Sequence, residues 1–441
     1  METINTDYIG KKYTELQAAQ PGNVLNDIRN SGYQQFKTAG IPTFKSEEWK
    51  YTFISNLFKK EYNFNSGNTI HPGDIDSMRL PGAENANELV FINGVFQPAL
   101  STIRSSAKQL TILPLEEAAA TGSYKEIVKE HLDKSSLFIN DGIHALNTSF
   151  INGGVFISAN KNEVVEHPVY LYHITDTNEN HVMAQPRSLI YVEESAKLQL
   201  VETYKTFGSM DSFTNEVMEV VVMDNAIVEY YKIQNDSVNS NHVGTTHIRQ
   251  VGKCYVHTVT ISLDGGMIRN NIDIIMEKAG NEGHMYGLYL LKGRTHVDNH
   301  TLVDNTKPNC FSNELYKGIV DDYATGVFSG KIFVRPDAQK TNAYQTNKNI
   351  VLSKTATVNT KPQLEIFADD VKCSHGCTIG QLDAEALYYL RTRGISKEVA
   401  QAMLLNAFAE DVVAQIKIDS LHKYVSDLIV ERLHVQEEIL A

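Results

Sequence analysis

Between about residue 160 and residue 380 the chain repeats one kind of segment. Runs such as 188-SLIYVEE-194, 217-VMEVVVM-223, 226-AIVEYYKIQ-234, 271-NIDIIME-277, 324-ATGVFSGKIFV-334 and 363-QLEIF-367 are rich in Val, Ile, Thr and Tyr, and Gly, Asn and Asp punctuate them. Residues of these types fit a pleated, half-buried surface, so the runs read as strands. They recur every ~10 to 25 residues without a strict repeat, which suits a sandwich, a barrel or a β-solenoid. Two-residue hairpin turns are scarce here. Stacked coils need no hairpins, so the pattern tilts toward a solenoid while leaving the other two open.

The flanks differ. Residues 1 to about 60 read as helical, with Ile9, Tyr13 and Leu16 at helical spacing, until Pro42 breaks the pattern. The segment 46-SEEWKYT-52 follows and holds the only tryptophan. In 88-ELVFINGVFQ-97 two apolar runs flank Asn93-Gly94, the signature of a hairpin with a type I′ turn. Residues 111–132 read as helix. Beyond 381 the chain is helical again. Asp383 caps a helix over 384–393 that closes at Gly394, Ser396 caps a second over 397–416, and a third covers about 418–436. The expected division is a mixed, largely helical region over 1–160, a mainly β core over 161–380 and a helical region over 381–441. Met403, Leu404, Ala407 and Phe408 form an apolar stripe on the second of these helices. It either packs inside a small bundle or stays partly exposed as a docking face.

Charge and cysteine usage narrow the function classes. A length of 441 residues suggests about three domains. The net charge of −13, with no block of Lys or Arg, argues against nucleic acid and against an anionic membrane as partner. Four cysteines make no disulfide framework. The N-terminus has no signal core, and no run of about 18 apolar residues exists. A reducing, cytoplasmic protein is expected. No glycine-rich phosphate loop and no G-x-S-x-G is present. The acid pairs Asp321-Asp322 and Asp369-Asp370 leave room for a polysaccharide-acting β-helix enzyme, but adjacent acids on a strand point to opposite faces.

Two segments carry ligand chemistry. In 295-THVDNHT-301, His296, Asp298 and His300 share one strand face, as a zinc or iron site or as a hydrogen-bonded polar ladder. In 371-VKCSHGCTIG-380, Cys373, His375 and Cys377 recur at the strand period. Thiolates and an imidazole suit zinc or an iron–sulfur cluster. First and third positions of such a set lie roughly 13 Å apart on an extended strand, too far for one ion unless Gly376 kinks it. Cys373 and His375 could share a metal or small cluster with ligands from elsewhere. Val371 and Ile379 share their parity, so the same residues are equally readable as an interior row. A self-contained zinc or iron protein using either segment is the alternative these residues leave open.

The run 329-SGKIFVRPDAQKTNAYQTNKNIVLS-353 and its continuation 361-KPQLEIFADDVKCSHGCTIGQLDAEALYYLRTRGIS-396 resemble the SufB/SufD family, in its SufD-like form. The segments 46-SEEWKYT-52 and 312-SNELYKGIVDD-322 are also similar to it. The E-H-E segment and the extra upstream cysteines of the SufB-like form are missing. The resemblance implies a right-handed parallel β-helix between an N-terminal, largely helical region and C-terminal helices. It implies a non-catalytic scaffold subunit for iron–sulfur cluster assembly that pairs with a SufB paralogue. Each of the two engages one copy of SufC, an ABC-type ATPase that supplies the nucleotide chemistry. SufC docking falls on the C-terminal helices, here Leu387, Leu390, Met403, Leu404 and Phe408. The family's Cys and His at the subunit interface match Cys373 and His375, which would hold metal or a cluster there transiently. No cofactor is then expected to stay bound to the isolated chain, which would form a homodimer by reusing the same surface. Cys377 stands where the SufD-like form usually carries alanine, so no role extends to it.

Overall fold

The structure is a computed structural model and describes residues 6–64 and 68–433. The strand-rich stretch winds into a parallel β-solenoid of about eight turns. Successive strands alternate between two long sheets, so each strand pairs in parallel with the strands two before and two after it. Tyr255, Glu282, Phe311, Asn342 and Lys372 stand one above the other in one sheet. The repeat is thus ~30 residues a coil, within the usual range for solenoids. A strand that always crosses to the other sheet never meets its neighbour in a hairpin, which is why hairpin signals are scarce. This pairing removes the sandwich and the barrel.

Parallel partners in register share a face, so each inward column can be followed along the axis. One column runs Leu198, Val228, Val256, Gly283, Ser312, Ala343, Cys373. The next runs Leu200, Tyr230, Thr258, Met285, Glu314, Gln345, His375. A third runs Glu202, Lys232, Thr260, Gly287, Tyr316, Asn347, Cys377. The first is mostly apolar and small. The other two are strongly polar and still buried, except for their last members. Gly287 makes room for a ring there, since a Cβ on it would lie 2.1 Å from Tyr316 Cε1.

The outer faces are covered by the flanking regions. Helices Asp7–Ala19 and Asn26–Ala39 and the segment around Trp49 and Phe58 pack with Phe213 and Val243 on one sheet. Helices Lys397–Val413 and Asp419–Leu433 lay Leu405, Ala409, Val412, Val425 and Ile429 on Tyr231, Val259 and Ile261 of the other. The Asn93-Gly94 turn forms as expected. It joins antiparallel strands Asn87–Ile92 and Val95–Phe96, with φ of 51° and 85°. Residues 111–132 are helical as expected over most of 115–131, in two pieces, but 111–114 depart from it. Leu110–Pro114 is a strand paired antiparallel with Val155–Ala159, and helices Leu115–Ala120 and Gly122–His131 follow it. Strand pairing with a segment some 45 residues away outweighs local helix propensity there. The helix expected over 397–416 stops at Val413, and positions 434–436 of the last one lie outside the described residues.

Glu314 has its consequence for stability. It lies 1% exposed between Met285 and Gln345, with Gln345 Nε2 donating to its Oε2 at 2.7 Å. Burial pushes its carboxyl up to about 7. The folded protein therefore keeps a proton that the unfolded chain gives up at an ordinary carboxylate pKa. Its contribution favours the fold at acid pH and is lost as pH rises through about 7. Glu314→Gln should be nearly neutral at pH 4 and stabilise the protein by on the order of 3 kcal/mol at pH 8, measured by urea unfolding. A pH-independent difference would contradict this.

Candidate functional site

The strands Lys372–Gly380 and Thr357–Ile366 end their sheets, so each carries an edge unpaired among the described residues. Lys372–Gly380 sits on Asn342–Val351 in unbroken register from Lys372 to Gly380. Gly376 therefore leaves the strand straight. Cys373, His375 and Cys377 fall on the inward row, over Ala343, Gln345 and Asn347. Among the described residues no further coil covers that row. Cys373 is half-buried and packs with Val371 on the core, whereas His375 and Cys377 are exposed. Both readings of the segment are thus partly realised, because the residues face the interior at the coil where the interior opens. Val358, Thr360, Pro362 and Leu364, stacked over Gly326, Phe328, Gly330 and Ile332, occupy the inward positions of the other terminal strand.

The straight strand keeps Cys373 and Cys377 about 13 Å apart, so no single ion takes both. Cys373 and His375, about 6.6 Å apart along the strand, can share a cluster or an ion whose other ligands come from elsewhere. Burial raises the Cys373 thiol, against a weaker opposing hydrogen bond from the Ala343 backbone. It is therefore not an ionised nucleophile at neutral pH and needs a metal or a partner's positive charge to become one. The His375 ring makes no hydrogen bond, ion pair or ring contact among the described residues. Cys254 and Cys310 are buried, and burial pushes the Cys254 thiol up to about 12. Alkylation of the native protein should thus label Cys377 first, Cys373 several-fold more slowly, and Cys254 and Cys310 only on unfolding, as read by peptide mass spectrometry.

His296, Asp298 and His300 share the outward face of their strand and form a pin rather than a metal site. Thr52 Oγ1 donates to Asp298 Oδ2 at 2.5 Å and contacts His296 Nε2 at 2.8 Å. Arg269 Nη1 donates to Asp298 at 3.0 Å, and His300 lies 3.1 Å from Asp298 and 3.5 Å from Glu48. The hydrogen bond from His300 holds Glu48 down at about 2. The Arg269 guanidinium also lies 3.9 Å over the Trp49 ring. These residues bind 46-SEEWKYT-52 to the solenoid. The recess beside them, about 600 Å3, has its charged walls largely committed to this network. Asp298→Ala leaves the buried Arg269 without its carboxylate and should cost about 3–5 kcal/mol in chemical denaturation.

The acid pairs sit in turns. Asp321 Oδ1 accepts from Asp322 N, and Asp322 Oδ2 accepts from Gly293 N. Asp370 N is bound by Gln339 Oε1. The Asp321 and Asp322 carboxylates therefore serve turn geometry.

The C-terminal candidates divide. Asp383 and Ser396 cap their helices as expected, the former accepting from Glu385 N and Ala386 N, the latter from Val399 N. The face that Lys397–Val413 buries is Ala402, Leu405, Ala409 and Val412. The stripe of Met403, Leu404, Ala407 and Phe408 lies beside it. Met403 is 48% exposed, Leu404 is half-buried, and Phe408 turns onto the solenoid under Lys317 Nζ, 4.3 Å from its ring. On helix Ala384–Thr392, Leu387 and Leu390 are half-buried, and Tyr388 and Tyr389 are exposed. These tyrosines escaped the sequence reading, although 388-YY-389 stands between Leu387 and Leu390.

A second group was missed entirely. His173, Glu202 and Glu216 bring ligand atoms within 4.8 Å of one another inside the solenoid. Lys232 Nζ lies 3.4 Å from Glu202 and 3.2 Å from Glu216, so the chain already supplies the cation there.

Residues 173–408 match the family described as SUF system FeS cluster assembly, SufBD core domain, and residues 4–171 match the SufBD protein N-terminal region. An iron–sulfur cluster assembly SufBD family protein of Synechocystis is 33% identical over 430 residues, 95% of this chain and 93% of that one. The iron–sulfur cluster assembly protein SufD of Escherichia coli is 30% identical over 407 residues, 91% of each chain. SufD of Bacillus subtilis is 26% identical over 450 residues, 97% of each. With matches across both regions of the fold, the chain belongs to the SufBD family of iron–sulfur cluster assembly proteins, as a homologue of SufD.

Proposed function

We propose that this chain is a non-catalytic scaffold subunit that pairs with a SufB-type paralogue across the open end of its solenoid and carries a SufC-type ATPase on its C-terminal helices. The observation that carries this reading is the uncovered last coil, which presents Cys373 and His375 beside two unpaired strand edges. Apposing a second such end would cover the exposed Ile366, Phe367 and Ile379 and supply the missing ligands. The cluster is cargo. Held partly by each subunit, it can leave when the subunits part, which a cage within one chain would resist. The isolated chain then keeps no cofactor, and its free edges favour a homodimer through the same surface.

ATP-driven closure of two SufC-type copies would move the C-terminal helices. Those helices lie directly on the solenoid, with Lys317 Nζ donating to Phe408 O and bound to Asp411. Movement there can reach the interface only through contacts that differ in energy between two states. A reducing cytoplasm would keep the thiols available, and no helix among the described residues is long and apolar enough to cross a membrane.

Cys373→Ser and His375→Ala should lower maturation of Suf-dependent client enzymes in cells by at least about tenfold. Cys377→Ala should be nearly silent. Full maturation by Cys373→Ser within an intact complex would sink the site reading. Docking is tested separately: Tyr388→Ala with Met403→Glu should strip the ATPase in co-purification while leaving the circular dichroism unchanged. Undiminished binding would place that interface elsewhere.

A further inference from the structure

Directly beneath His375 lies an amide oxygen with nothing to accept. Gln345 is the next residue down the same inward column and is 1% exposed. Its Nε2 donates to Glu314 Oε2 at 2.7 Å, but its Oε1 has no hydrogen-bond partner. A buried acceptor left without a donor costs on the order of 1–3 kcal/mol, and interiors keep few of them without a use.

Above about pH 7, where Glu314 is ionised and can only accept, the orientation of this amide is set from below. Glu314 is the only carboxylate among the inward positions of the last three strands of this sheet, and it takes the NH2 end of Gln345. The oxygen end is what remains for other partners. The sheet opposite closes on the amide as well. A Cβ on Gly330 would lie 2.4 Å from Gln345 Nε2, so only glycine lets the side chain sit here. Along its own strand, Ala343 offers no donor and the Asn347 amide is committed to Tyr289 and to the Tyr316 carbonyl. The donor-bearing side chain that the column stacks next to Gln345 is the imidazole of His375, which itself has no partner among the described residues.

We propose that Gln345, held by Glu314, is the positioning residue of His375: its Oε1 accepts a hydrogen bond from one ring nitrogen and leaves the other free to bind a divalent cation at the open end. The inference rests on the reading of His375 as an interface ligand. Histidines that bind metals commonly donate their second nitrogen to a fixed acceptor, which sets tautomer and ring orientation. Here the acceptor is built into the coil below and is in place before any cation arrives.

The test is titration of the full-length chain with Co2+ under anaerobic conditions, followed by the visible absorption of the bound ion. The wild type should bind weakly, since this chain supplies few ligands, and His375→Ala should abolish binding. Gln345→Leu should weaken it about tenfold or more and alter the spectrum at saturation. Asn347→Leu, equally buried in the neighbouring column, should leave both unchanged and so separates positioning from packing. If Gln345→Leu does not fold, Gln345→Met keeps the length without the acceptor and carries the same expectation. Gln345 variants with wild-type affinity and spectrum, alongside a His375→Ala that cannot bind, would overturn the inference and leave the site reading standing. Wild-type binding by His375→Ala, or none by the wild type, would remove His375 as a ligand and the inference with it.

Discussion

In-register parallel stacking is the interaction on which the rest of this molecule depends. Each strand lends its backbone groups to the coils above and below, and the register carries every inward residue into a column. A column must be filled at every level, by an apolar side chain or by a polar one whose partner sits a coil away. The interior uses both solutions. Its middle holds Glu202, Glu216, Lys232 and His173 as a closed ion group, with Tyr230 and Tyr204 donating to the two carboxylates. The stack ends where no further coil exists, and there the inward row becomes a surface. The same rule that buries Gln345 and Asn347 exposes His375 and Cys377.

This explains why the chemistry at the end differs from position to position. Cys373 tops a column of small and apolar residues, which buries half of it and raises its thiol. His375 tops a polar column and reaches solvent with an amide below it. Cys377 tops Asn347 and is simply exposed. Three ligand-type residues spaced evenly in sequence thus have three different environments, set by the columns under them.

Much of this was legible in the sequence, and the limits are physical. Strand runs without hairpin turns pointed to stacked coils, and Asn93-Gly94 gave its turn directly, because a turn is a local matter. The parity of 371–380 put Cys373, His375 and Cys377 on one face with Val371 and Ile379, since strand alternation is also local, but it left open whether that face was the interior. The role of 295–301 was not legible. His296, Asp298 and His300 do share a face, but their partners Thr52, Glu48 and Arg269 come from distant or adjacent segments that only the fold assembles. The ion group around Lys232 was hidden more deeply. A polar residue at an inward position reads as a solvated face until the opposite sheet is known to carry its counter-charge. The apolar stripe at 403–408 showed apolar spacing without showing which side of the helix the solenoid takes, and the buried side proved to be the alanine-rich one beside it.

The pin at Thr52 has a consequence in time. It joins residues 244 and 246 positions apart, and the neighbouring Glu47 meets Lys361 across 314. The coils can form one on the next through contacts about a single coil apart, but this clasp closes loops of 244 to 314 residues. During synthesis the segment 46–52 emerges early, its partners at 296–300 follow about 250 residues later, and its contact with Lys361 comes last. The last coil, which bears Cys373 and His375, follows directly on that lysine. The coil offered to a partner is therefore the last of the solenoid to be made, after every residue of the clasp.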